Sequence, residues 1–233
     1  MHASSILIRW SMAALSALLL ALALPAWPAA YGQYDTRQLL GSAPAAGKSA
    51  TFNTAYLDRM LQDIGQHAAN YPPRFDSLQD QQRAQRDAAS LIGMLNAAFA
   101  NDAPPGLLLR MGILGSYGHN LDVTNAAAFA QTHFSKLLAA QPDDPAGNYH
   151  FGQFLASTGR GKEALPYLNR ARDKGVVPAF YALGMTHLML GDKPRALAML
   201  TEYQRAQPSD LDVGKLIQGI RDGKVEVKQG GGK

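Results

Sequence analysis

The chain has 233 residues, 47% hydrophobic and 17% charged, with a net charge of +4. That is long enough for one or two cored domains or one continuous helical array, and ordinary enough in composition to fold. Lys and Arg are scattered among Asp and Glu and form no stripe, so the electrostatic footprint of a nucleic-acid binder is missing. The absence of cysteine excludes disulfides, thiolate metal sites, cysteine nucleophiles and an acylated lipoprotein cysteine, while permitting an oxidising compartment.

Residues 1–30 carry one basic residue, Arg9, an apolar run from Met12 to Leu24 broken only by Ser16, and then Pro25, Ala26, Pro28, Ala29 and Ala30. This predicts a secretory signal peptide, because the run of 13 residues falls short of the roughly 20 needed to span a bilayer. The alternative is an uncleaved inner-membrane anchor over residues 10–27. In both readings the body is exported, to the periplasm or beyond. Residues 31–50, rich in Gly, Ala, Ser, Pro and Gln, read as a disordered linker.

An N-terminal helical pair is expected over 51–104. Tyr56, Leu57, Met60, Leu61 and Ile64 recur at three- and four-residue spacing and share one helical face, in a helix that runs to about Asn70 and is ended by Pro72 and Pro73. Asp76 or Ser77 then caps a second helix ending near Phe99. After a break at Asn101–Gly106 comes a short apolar helix with Leu107, Leu108, Met111, Ile113 and Leu114, closed by a turn at Gly118, His119, Asn120 and Leu121. The next helix starts at Asp122 or Thr124.

Pro142 to Pro208 is written twice. Tyr149, Gly152, Gly159, Ala164, Leu165 and Leu168 recur 32 residues later as Tyr181, Gly184, Gly191, Ala196, Leu197 and Leu200. Helices are predicted near 145–158, 161–174, 178–190 and 193–206, with a closing helix from about Ser209 to Asp222 and a flexible tail over 223–233. Ala130 and Phe134 lie 34 residues before Ala164 and Leu168, whereas Gly112 lies 40 before Gly152, so a third copy carries about six residues inserted at its hairpin turn. A repeated helical unit cannot bury its apolar face alone and must stack on a neighbour.

Tyr149, Gly152, Ala164, Leu168 and Ala171, followed by a proline-bearing turn, resemble the tetratricopeptide repeat, a helix-turn-helix of about 34 residues. The resemblance covers about 105–222 and is strongest over 142–208. Two departures stand out: Val176 where the family often has proline, and Tyr203 in place of Ala171, which suggests a different contact with the closing helix. The resemblance implies an all-α fold, a right-handed superhelix of antiparallel hairpins with a C-terminal capping helix. It also implies that the first helix of each hairpin lines a concave groove for a protein or peptide partner. The corresponding stripe here is Tyr149, Gln153 and Ala156, then Tyr181, Met185, Leu188 and Met189. Tyrosine and methionine suit such a face because they offer adaptable apolar area with a polar handle. The competing reading is that these side chains touch a neighbouring helix or the N-terminal segment. Family members that clamp a terminal carboxylate use Asn, Lys and Arg on this stripe, and their absence here argues against that mode.

Signals for catalysis or cofactors are decoys. Gly159, Gly161 and Ala164 spell G-x-G-x-x-A, yet they follow a helix where a dinucleotide site needs a strand. Beyond the leader, His67, His119, His133, His150 and His187 include no pair at helical ligand spacing, and no hydrolase motif is present. The sequence thus points to a non-catalytic scaffold or adaptor with no cofactor and no metal. The alternatives are an assembly subunit of an envelope complex with no free groove and, further off, an enzyme or small-ligand carrier.

Overall fold

The computed structural model describes residues 30–39, 52–99 and 102–225. The signal peptide, the linker's second half and nearly all of the tail lie outside the described residues. Within them the architecture is all-helical: a 3-10 turn at Thr36–Leu39, then α1 (Thr54–Ala68), α2 (Leu78–Ala98), α3 (Pro105–Asn120), α4 (Ala126–Ala140), α5 (Pro145–Ser157), α6 (Gly161–Asp173), α7 (Pro178–Met189), α8 (Lys193–Ala206) and α9 (Leu211–Arg221).

Local chemistry sets the starts. Asn53, Ser77, Asp144, Asp192 and Asp210 each turn a side-chain oxygen onto a first-turn backbone N–H of α1, α2, α5, α8 and α9, which satisfies donors the helix leaves open. Pro105, Pro145 and Pro178 open α3, α5 and α7, where a missing N–H costs nothing.

Helices pair in chain order as α3–α4, α5–α6 and α7–α8. The hairpins join through α4–α5 and α6–α7, the first helices also meet as α3–α5 and α5–α7, and α9 lies on α8. Each hairpin is closed by a glycine at its crossing. A Cβ on Gly112 would lie 2.5 Å from the Phe134 ring, on Gly152 2.6 Å from Leu168, and on Gly184 2.7 Å from Leu200, so only hydrogen fits. Three successive cores result. One is built by α1, α2 and α3 around Met60, Ile64, Leu91 and Met111, a second centres on Phe134, Phe151 and Leu168, and a third on Leu200, Val213 and Ile217.

The structure departs from the sequence reading in two places. Gly118, His119 and Asn120 are the last turn of α3, not a loop, the connection is 121–125, and α4 starts at Ala126 behind a left-handed Asn125 with no side-chain cap, not at Asp122 or Thr124. A Cβ at Gly118 would lie 3.0 Å from Ala126 and 3.1 Å from Ile92, so this glycine serves packing where a turn was expected. Asn120, also in the expected turn, is buried and donates from Nδ2 to the Ala68 carbonyl at the end of α1, at 2.9 Å.

The second difference concerns 31–39, expected as linker. Tyr31 and Leu39 are buried in the first core. Tyr31 donates its hydroxyl to Asp87 at 3.0 Å, Tyr34 donates to Asp63 at 2.7 Å, and Arg83 donates to the Tyr31 and Gly32 carbonyls. These anchors come from α1 and α2, which no local pattern in the segment reveals.

Candidate functional site

The stripe expected on the first helices divides into exposed, shared and covered residues. Gln153 is exposed and Tyr181 is 38% exposed. Tyr149 is half-buried against the second core, its ring edge-on to His150 at 5.1 Å. Met185 packs on the third core and Met189 on the second, both half-buried. Ala156 is buried, and Leu188, only 4% exposed, is a member of the third core. Leu188 is therefore a core residue and not available to line a groove. Counting along one helix cannot show that α8 and α9 build a core over that turn of α7.

What gathers around Tyr181 comes from three elements. Tyr203 of α8 sits with its ring centroid 5.3 Å from that of Tyr181, tilted by 57°, a favourable aromatic geometry. Its hydroxyl donates to Asp210 Oδ2 at 3.3 Å, while Asp210 Oδ1 accepts from the backbone N–H groups of Asp212 and Val213. One carboxylate thus caps α9 and holds the phenol. Tyr181, Tyr203, Asp210, Asp212, Val213 and Leu216 line an open recess of about 460 Å3. Asp212, on its rim, is paired with Lys215 at 2.8 Å.

Three phenols share this neighbourhood. Burial pushes the Tyr149 hydroxyl up to about 12, with smaller contributions from Tyr203 and Tyr117. Tyr181 is raised by burial and then by Asp210, and Tyr203 by burial and then by the same carboxylate. All three stay protonated at neutral pH, and each presents a neutral O–H with an aromatic face. Such a surface can bury apolar side chains and hydrogen-bond a peptide backbone.

Tyr203, Asp210 and Leu216 were not in the expected stripe. The substitution of Ala171 by Tyr203 between the two copies was the available signal, and Tyr203 does meet the start of α9. The G-x-G-x-x-A string is the Gly159–Gly161 connection and first turn of α6, preceded by α5. His119 closes α3 and lies edge-on to Phe154 at 6.3 Å. No group of three or more His, Asp or Glu side chains among the described residues is placed to hold a metal ion. No described helix is long and apolar enough to cross a membrane. Comparison with family models, curated proteins and solved structures returned no match.

Proposed function

We propose that the chain is an exported, non-catalytic scaffold or adaptor of tetratricopeptide type, in which the hairpins α3–α4, α5–α6 and α7–α8 stack as a right-handed superhelix and α9 caps it. On this reading the first helices face a groove that takes an extended or helical segment of a partner protein. The observation that carries it is the open recess lined by Tyr181, Tyr203, Val213 and Leu216. Side-by-side contact of α3, α5 and α7 supports it, because a groove needs first helices adjacent to one another.

The partner segment inserts one apolar or aromatic side chain between Tyr181 and Leu216, with the phenols hydrogen-bonding its backbone. At roughly 25 cal/mol per Å2, burying that contact contributes several kcal/mol before ordering costs. A photo-crosslinking residue at position 216, in the native host envelope, captures the partner under this proposal. The same residue at Leu78, 69% exposed at the remote end of the molecule, does not. Equal capture from both positions contradicts it.

A further inference from the structure

A larger open cavity, about 680 Å3, lies between α2 and α4 with residues 122–125 as its floor. Its volume is within the range of small-molecule sites. It is a product of the inserted residues: 22 positions separate Gly112 from its contact Phe134, against 16 for Gly152 to Leu168 and for Gly184 to Leu200. The excess lengthens α3 and its connection to α4, and the floor takes left-handed backbone at two non-glycine residues, Asp122 (φ 56°) and Asn125 (φ 61°).

The charged residues on its wall are Arg86 and Asp122, one of each sign, and neither forms an ion pair among the described residues. His133 borders the cavity and is 4% exposed. Its Nδ1 lies 2.7 Å from the Phe129 carbonyl. A carbonyl only accepts, so Nδ1 carries the hydrogen and Nε2 of the neutral ring is an acceptor. Burial lowers the His133 pKa, opposed by the Phe129 hydrogen bond and reinforced by Lys136, and the net lowering favours that neutral form. The hydrogen bond seen for this ring among the described residues is the one at Nδ1, which leaves Nε2 as its acceptor atom on the cavity border.

The layout separates these groups. Gln85 donates to the Leu121 carbonyl at 2.8 Å, which places the Arg86 end of α2 beside the floor. Since α4 leaves the floor at Ala126, His133 stands seven residues up its axis, roughly 10 Å away at 1.5 Å per residue. Ala89, Ile92 and Phe129 form the apolar wall between.

We propose that this cavity binds a free α-amino acid whose flat apolar side chain ends in an N–H or O–H donor. Its carboxylate pairs with Arg86, its ammonium with Asp122, and its side-chain donor meets His133 Nε2. A simple anion would leave Asp122 facing like charge, and a simple cation would do the same at Arg86. A zwitterion satisfies both. The site lies apart from the Tyr181 recess and stands or falls independently of it.

Isothermal titration calorimetry on the folded chain tests this with L-tryptophan and L-tyrosine against three analogues: tryptamine without the carboxylate, indole-3-propionate without the ammonium, and L-phenylalanine without the donor. We expect saturable binding of at least one of the first two, with the analogues ~10-fold weaker or worse, or about 1.4 kcal/mol for each lost interaction. Arg86→Gln, at an exposed position, is expected to erase the preference over tryptamine. Gly93→Phe is expected to abolish binding with the melting temperature kept, because a Cβ there meets nothing within 4 Å. Absence of saturable heat with both amino acids at millimolar concentration overturns the proposal. So does equal binding of the analogues, or binding that survives Gly93→Phe.

Discussion

The α5–α9 end and the α1–α4 end of this molecule use one crossing device and put it to different uses. In the α5–α6 and α7–α8 hairpins, glycine and its leucine contact are 16 residues apart and the connection is a tight glycine turn, at Gly159 and Gly191 with φ near 80°. The leucines at these crossings, Leu168 and Leu200, are fully buried, and the open surface holds an aromatic recess. In the α3–α4 hairpin six more residues separate the glycine from its aromatic contact, and a roomier cavity lies between α2, α4 and the connection at 122–125. The regular hairpins leave a recess of about 460 Å3, the lengthened one a cavity of about 680 Å3.

The hardest way to break the regular end is at its crossing. Gly152→Leu places side-chain atoms where Leu168 already stands and is expected to destabilise by about 3 kcal/mol, read as a drop in the denaturant midpoint. Gly112→Leu, against the Phe134 ring, should match it if the lengthened hairpin shares the device. Unchanged stability in either variant would falsify the shared-crossing account.

A smaller effect separates the ends by pH. Burial pulls the His150 pKa down to about 4, opposed by Asp144, and His133 and His187 are lowered as well. The fold prefers the neutral rings, so the unfolded chain takes up protons first as pH falls below its ordinary 6.5. The stability these groups contribute is complete above that value and is lost between 6.5 and about 4 for His150. We expect a loss of about 2 kcal/mol for His150 between pH 7.5 and pH 5, seen in urea midpoints. His150→Leu should flatten that dependence, and an equally steep profile in the variant refutes the assignment.

Asp210→Ala probes the capping end more gently. It removes the α9 cap and the acceptor of the Tyr203 phenol together, with an expected cost of about 1 kcal/mol. Gly93→Ala, in open space on α2, should stabilise by up to about 1 kcal/mol through helix propensity alone. A destabilised Gly93→Ala variant would mean that α2 is packed on that side.

The same contrast explains what could be read from the amino acids. Between Pro142 and Pro208 each helix was readable to within about a residue of its observed ends, because two copies 32 residues apart state the crossing glycines and the apolar faces twice. Where the repeat breaks, local signals misled. Gly118 and His119 look like a turn but continue α3, where Gly118 lets Ala126 and Ile92 pack closer than a Cβ would allow. Tyr31 and Tyr34 sit in linker-like composition, yet their fixing partners Asp87 and Asp63 are 56 and 29 residues away. In the recess, Tyr181 was legible through the tetratricopeptide resemblance, with helical spacing placing it on one face with Met185 and Met189. Tyr203 and Asp210 join it only through the packing of α8 and α9, and Leu188 is lost from it for the same reason.

The most direct measurement of the central claim is binding of the peptide segment captured at position 216, compared between the native chain and a Tyr181→Ala, Leu216→Ala variant. With helical circular dichroism unchanged, the groove account predicts a loss of about 2 kcal/mol or more, roughly 30-fold in Kd. Equal affinity for the two proteins would contradict it.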